Sequence, residues 1–368
     1  MTLDKLVVIA NKFKPQNQII DIQAFGNGNI NDTFLVTLNG ETDKYFVLQR
    51  INTQVFPQPK LVMQNISTVT EHMSQHLARD NNLTGNRRWE IPSVLLTRDG
   101  EDYWLDTDGL FWRAITFIDN SQSFDTIQNL EQATEIGYAL GLFHRLISDL
   151  SPEKLADTLP GFHITPGYLK QYDEVMAKNR GKETLEVKYC HKFISDRRGL
   201  VNVLEDAKMR SLLPMRPIHG DPKINNVMMD RDTKVAIAMI DLDTVKPGLI
   251  HYDIGDCLRS GCNLLGEETE DWQLIYFDTD IARAILQGYL SQAKEFLINN
   301  DYEYLYDGIR LLAFELGLRF FTDYLAGNVY FKAKYETHNL ARALVQFKLT
   351  ESIESQSKAI SSMIKKLK

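Results

Sequence analysis

Short alternating runs of apolar and polar residues dominate the first 118 positions, and apolar residues spaced three or four apart dominate the rest. Residues 19–25, 32–38 and 45–51 read as three strands separated by Gly26-Asn27-Gly28 and by a turn at Asn39-Gly40, which predicts a small antiparallel sheet. Val62, Ile66, Val69, Met73 and Leu77 then mark one face of a helix ending near Asn81. Strands resume over 92–97, 103–105 and 110–118, with turns at Asp99-Gly100 and Asp108-Gly109. Beyond Asp119-Asn120-Ser121 the period becomes helical. Ala133, Ile136, Leu140, Phe143 and Ile147 form one stripe, Ile281, Ile285 and Tyr289 begin another, and Phe314, Leu318, Phe321 and Leu325 read as core. Only 214–243 interrupts the helices, as a loop followed by a β-hairpin. The pattern predicts a β-rich region over 1–118 and a mainly helical region over 119–368, with the boundary between Ile118 and Gln122.

Composition narrows the function classes. A chain of 368 residues, 43% hydrophobic, is long enough for about two domains and a large core, which excludes a disordered chain, a collagen or a disulfide scaffold. Forty-nine acidic against 41 basic residues give a net charge of -8, with no basic block beyond Lys365, Lys366 and Lys368, so duplex nucleic acid is not an expected partner. A small anion remains possible, because local donors and a metal override the overall charge. Cys190, Cys257 and Cys262 are odd in number and lack zinc-ligand spacing, as expected for a reducing cytoplasm. The apolar run at 6–10 is too short for a signal peptide, and no stretch of about 18 apolar residues predicts a membrane span.

The strongest chemical signal is His219-Gly220-Asp221-Pro222-Lys223-Ile224-Asn225-Asn226, followed by a hairpin that ends in Ile240-Asp241-Leu242-Asp243. Phosphoryl transfer needs a carboxylate to orient the acceptor hydroxyl, oxygen ligands for magnesium, and cations for the phosphates. An Asp, an Asn five residues later and an Asp closing the next hairpin supply these parts, at the spacing of a kinase catalytic loop with Gly220 in place of its Arg. Upstream, Gly26 and Gly28 lie between two strands, where glycines let backbone approach phosphates. The following strand ends Val47-Leu48-Gln49-Arg50, where kinases usually carry a Lys. Either Gln49 or Arg50 occupies the phosphate-facing position, and charge favours Arg50, with Glu71 on the next helix as a possible partner. His144 and His251 read as hydrogen-bonded core residues without a chemical role.

These segments resemble the aminoglycoside phosphotransferase and choline kinase superfamily, which implies a bilobal, protein-kinase-like α+β fold. Phe25 to Phe34, Phe46 to Asn52 and His219 to Val227 together are similar to the N-acetylhexosamine 1-kinases, which move the ATP γ-phosphate onto the anomeric hydroxyl of N-acetylglucosamine or N-acetylgalactosamine. The resemblance implies Asp221 as catalytic base, Asn226 and Asp241 as Mg²⁺ ligands, and Lys223 as a γ-phosphate contact. It further implies a helix-start Asp253 that braces the catalytic loop. Adenine is expected against the connector Thr116-Phe117-Ile118, and Arg319 and Tyr330 are candidate sugar contacts. The chain departs from the kinase pattern in lacking the strand Lys, although Arg can pair a phosphate bidentately. Rival expectations are an aminoglycoside, choline or homoserine as acceptor, and a non-catalytic nucleotide-binding pseudokinase.

Overall fold

The computed structural model describes residues 2–14, 18–26, 30–40, 44–80, 83–85, 87–179 and 182–368. Its first region is an antiparallel sheet of β1 (Ile19–Ala24), β2 (Asp32–Leu38), β3 (Tyr45–Arg50), β4 (Val94–Leu95), β5 (Trp104–Leu105) and β6 (Phe111–Thr116). The strand order is β1-β2-β3-β6-β4, with β5 also on β6. Alternation sorts the side chains onto two faces. Phe46, Leu48, Trp112 and Ala114 pack with Leu6, Ile9, Ala10 and Phe13 of helix α1 (Leu3–Phe13) on one face. The other face turns towards α2 (Pro59–Arg79), whose Val62, Ile66, Val69 and Met73 are buried as their spacing predicts, with Leu77 partly buried at the far end of the stripe. Helix α1 was not foreseen. Read as a continuous apolar run, 6–10 hides the i, i+3, i+4, i+7 spacing of Leu6, Ile9, Ala10 and Phe13 that makes it amphipathic.

The second region holds α3 (Leu130–Leu146), α4 (Thr165–Lys178), α5 (Leu185–Arg197), α6 (Val203–Met209), α7 (Ile250–Gly261), α8 (Thr279–Ala293), α9 (Asn299–Glu303), α10 (Leu305–Ala326), α11 (His338–Ser355) and α12 (Ser357–Leu367). All the predicted stripe residues of α3, α8 and α10 are buried. Helices α3 and α8 approach so closely that a Cβ on Gly137 would lie 1.8 Å from the Ile285 carbonyl oxygen, and one on Gly288 1.9 Å from that of Thr134. Small strands punctuate the helices: β7 (Ser121–Gln122), β8 (Arg216–Ile218), β9 (Val227–Asp230), β10 (Ala236–Met239) and β11 (Lys246–Gly248). The predicted hairpin is β9–β10, with β7 added on β9, and β11 pairs with β8. The chain thus leaves the first sheet after Thr116 and joins the second at Ser121. Among the described residues no helix is long and apolar enough to cross a membrane.

Buried polar bonds lock the two regions together. Asn65 of α2 donates to the carbonyls of Ala156 and Val245 and accepts from the Ala156 N–H, at 2.8–2.9 Å. The Glu90 N–H donates to Ile237 O at 2.7 Å.

Candidate active site

The loop between β8 and β9 carries the densest polar chemistry, and its backbone is fixed from behind. Gly220 has φ +86°, and a Cβ there would lie 2.5 Å from Thr244 O, so conformation and space both require glycine. Asp253, in the first turn of α7, accepts the His219 N–H at 2.7 Å and the Gly220 N–H at 2.9 Å. His144 of α3 meets the same carboxylate at 2.9 Å and the Tyr289 hydroxyl of α8 at 3.0 Å. Burial penalises the Asp253 charge, but His144, His219 and the backbone donors outweigh that penalty and hold its carboxyl below the usual range. Both His144 and His251 are therefore hydrogen-bonded core residues, the latter on the Asp301 carbonyl.

His163 is a second brace. It has φ +63°, and its two ring nitrogens lie 2.9 Å from Glu315 Oε1 and from Gly220 O. Burial opposes a charge on this ring, but Glu315 more than offsets it and raises the pKa, so a doubly protonated imidazole satisfies both acceptors. His219 is the opposite case. Its Nδ1 accepts the Asp221 N–H and its Nε2 donates to Ile240 O, and burial lowers its pKa, which fixes one neutral tautomer.

On this frame the Asp221 carboxylate meets Lys223 Nζ at 2.9 Å. Desolvation works against its ionisation, while Lys223, His219 and Arg259 pull the other way and prevail, lowering its pKa. Lys223 is raised, first by Asp221 and then by Asp241 and Asp256. Asn226 donates to Asp221 O at 2.8 Å, which leaves its side-chain oxygen available. Asp241 has φ +64°, a left-handed conformation that turns the chain at the end of β10. Desolvation, then the charges of Asp243 and Asp221, push Asp241 up to about 7. This donor set fits Mg²⁺: hard oxygens from Asn226 and Asp241, and a carboxylate cluster whose repulsion a cation relieves.

The sheet side holds a different arrangement. Arg50 is on the α1 face, paired with Asp32, because it lies in phase with Phe46 and Leu48. The expectation that Arg50 meets the phosphates is therefore corrected, since period-two alternation turns it away from the cleft. Gln49 takes the inner face, beside Thr33 and Arg113. Its Oε1 accepts from Arg113 Nε at 2.9 Å and Nη2 at 2.7 Å, and its amide donates to Thr33. Arg113 in turn pairs with Asp243, both side chains being only 1–2% exposed. Asn31 donates to Asp243 at 2.6 Å. Glu71 is exposed on α2, and Arg50 pairs with Asp32 instead. Towards the connector the inner face becomes apolar, with Leu35, Val47 and Ile115 in register. The Phe117 ring lies 5.9 Å from that of Phe25 and 5.4 Å from that of Tyr45. Thr116 is bonded to Ser93, and Ile118 packs on Ile237 and Ala238. Gly26 has φ +74°, whereas Gly28 lies outside the described residues.

Across the catalytic loop, the Arg319 guanidinium lies 4.8 Å from the Tyr168 ring, 5.2 Å from Phe162, 5.3 Å from Phe331 and 5.9 Å from Tyr330. Among the described residues its hydrogen-bond donors have no protein acceptor. Burial opposes the Arg319 charge, but Tyr168, Glu315, Tyr330 and then Asp221 outweigh it and raise its pKa. Tyr330 is 57% exposed, and its loop is held by Asp323, which accepts the N–H groups of Val329, Tyr330 and Phe331. Sequence reasoning missed Arg113, His163 and Glu315. Arg113 and Glu315 each had a signal, a lone charge inside the apolar runs Phe111 to Ile115 and Leu311 to Leu318, but nothing local marks His163.

Solved structures share this architecture. An aminoglycoside phosphotransferase from Alicyclobacillus acidocaldarius superposes with a TM-score of 0.63 at 13% identity, covering 98% of this chain and 96% of that one. A choline kinase from Cryptosporidium parvum gives 0.62 at 14% identity, covering 98% of each chain. A Plasmodium vivax ethanolamine kinase gives 0.53 at 15%, covering 89% of this chain and 82% of that one. At such identities the likeness establishes the kinase-like α+β fold. The model of the phosphotransferase enzyme family matches residues 21–289, a span that includes the glycine turn, the catalytic loop and the β9–β10 hairpin. The chain therefore belongs to the phosphotransferase enzyme family.

Proposed function

We propose that the protein transfers the γ-phosphate of ATP, with Mg²⁺, to the anomeric hydroxyl of an N-acetylhexosamine. Asp221 accepts a hydrogen bond from the acceptor hydroxyl and takes its proton as the oxygen attacks. Its lowered pKa keeps it ionised and ready for this at neutral pH. Lys223 contacts the γ-phosphate, and Asn226 and Asp241 hold the metal. Mg²⁺, when bound, neutralises phosphate charge and orients the nucleotide. Gly26, at the turn after β1, lies over the phosphates. The adenine rests against the apolar inner face beside Thr116, Phe117 and Ile118, with the Phe117 ring as the main contact. Arg113 supplies the cation that the sheet otherwise lacks at this end of the cleft.

The acceptor assignment rests on Arg319. A ring cage normally attracts a cationic ligand, and the acceptors of choline kinases and aminoglycoside kinases are cationic. Here the chain's own guanidinium fills the cage and repels a second cation. Its unused N–H donors, with the exposed Tyr330 ring, suit the hydroxyls and acetamido carbonyl of a neutral pyranose. The Gly26 to Phe34 segment, similar to the hexosamine 1-kinases, supports the same reading. The test is ATP turnover with N-acetylhexosamines, choline and aminoglycosides, followed by product analysis. A sugar 1-phosphate is expected, and phosphate at C6 or activity on cationic acceptors alone would defeat the assignment. Arg319→Ala should lower kcat/KM for the sugar by about 1.5–3 kcal/mol while the Kd for ATP barely moves.

A further inference from the structure

Away from the cleft, three metal-ligating side chains converge from the two lobes. His72 and His76 are one turn apart on α2, so both imidazoles leave the same face, and their rings are 4.7 Å apart. Asp149 follows the end of α3. His72 Nε2 lies 2.8 Å from Asp149 Oδ1, and His76 Nε2 lies 3.2 Å from Oδ2. One ligand atom from each residue falls within 4.8 Å of the other two. Ligand atoms around a tetrahedral ion with bonds of about 2.0–2.1 Å stand roughly 3.3 Å apart, so the nitrogen–oxygen separations are already of the right size.

Each contact alone is an ordinary hydrogen bond. A single carboxylate facing two imidazoles of one helix also makes a two-nitrogen, one-oxygen donor set, which suits zinc and its neighbours in the transition series. Magnesium, which favours oxygen alone, is a poorer match. Both rings are partly exposed and Asp149 is open to solvent, so an ion can enter without unfolding. We infer that His72, His76 and Asp149 bind one divalent transition-metal ion, with water completing its coordination, and that the ion ties α2 of the sheet lobe to the end of α3. In the metal-free protein each Nε2 carries the proton it donates to Asp149; on binding, a neutral ring moves that proton to Nδ1 and a ring protonated on both nitrogens releases one to solvent, so that Nε2 offers its lone pair to the ion.

The test uses the full chain, stripped with a chelator and free of nucleotide. Calorimetric titration with Zn²⁺ should show one equivalent bound with a Kd of about 10 µM or tighter, because three-ligand sites are weaker than closed four-ligand ones. Co²⁺ should give a visible d–d band that Zn²⁺ abolishes. Zn²⁺ should raise the melting temperature through linkage. His72→Ala and His76→Ala, both at partly exposed positions, should each weaken binding by about tenfold or more and remove the melting shift. Asp149→Asn should do the same while preserving size and polarity. In zinc-free buffer all three variants should turn over Mg²⁺·ATP like the wild type. Absence of saturable Zn²⁺ uptake by the wild type, or unchanged affinity in both histidine variants, would overturn the inference.

Discussion

The two walls of the cleft are built differently. On the helical side the catalytic loop is gripped from α7 by Asp253, from the segment before α4 by His163, and from β11's approach by Thr244, with His144 and Glu315 fixing the braces. On the sheet side one buried ion pair, Arg113–Asp243, and the Asn31 contact join the inner face to the loop after β10, beside a largely apolar surface. On the proposed function, the first wall would set the positions of the reacting groups before any ligand arrives, which is where preorganisation contributes most. The second offers area and one cation, which is what nucleotide affinity needs. Changes in the first wall should therefore act on stability and kcat, and changes in the second on the KM for ATP.

The largest effect should come from Asp253→Ala. It leaves two loop N–H groups and His144 without their buried acceptor, a loss of about 3–5 kcal/mol that urea unfolding would read, together with most of the activity. Unchanged stability would mean that the loop is held elsewhere. Next, Asp221→Asn should lower kcat by on the order of 10²-fold or more while the melting temperature and the Kd for ATP stay near wild type. Near-normal turnover by a soluble variant would remove Asp221 from its role.

On the sheet side, Arg113→Lys keeps the charge but loses the fork that spans Gln49 and Asp243. The KM for ATP should rise by roughly tenfold, more than kcat falls, whereas Arg50→Ala, on the opposite face, should change either constant by less than about twofold. Equal effects of the two would erase the contrast between the faces. A further prediction concerns pH. Asp241 is raised from an ordinary 3.8 to about 7, so its neutral form favours the folded, metal-free protein and that stability is lost as pH rises through about 7. Relative to Asp241→Asn, metal-free wild type should melt progressively lower between pH 5 and 8, and Mg²⁺·ATP should bind wild type more tightly over that interval. Parallel melting curves for the two proteins would rule out the raised carboxyl.

How much of this was legible beforehand follows from how far each interaction reaches along the chain. The loop from His219 to Asn226 and the hairpin after it act over neighbouring residues, so spacing alone exposes them. The stripes of α2, α3, α8 and α10 are equally local, because burial on one helical face must repeat with the helical period. Asp253 was recognised through its family likeness, and its two bonds to the loop give that likeness a physical content. Strand phase was different: Gln49 and Arg50 are adjacent, and charge pointed to the wrong one. Only the register with β2 and β6, together with the packing of α1 against Leu48, shows which side chain faces inward.

The sequence by itself determined the sheet-then-helix organisation, the main helical stripes and the polar loop from His219 to Asn226 with its hairpin, because those depend on periodicity and on residues a few positions apart. Tertiary structure alone decided that Arg113 bridges Gln49 and Asp243 on the inner face, that His163 and Glu315 brace a loop more than 50 residues from His163, and that Arg319 lies among four aromatic rings. Each of these joins residues whose separation in sequence leaves no periodic trace, and whose charges are tolerated inside the protein only because folding brings their partners within reach.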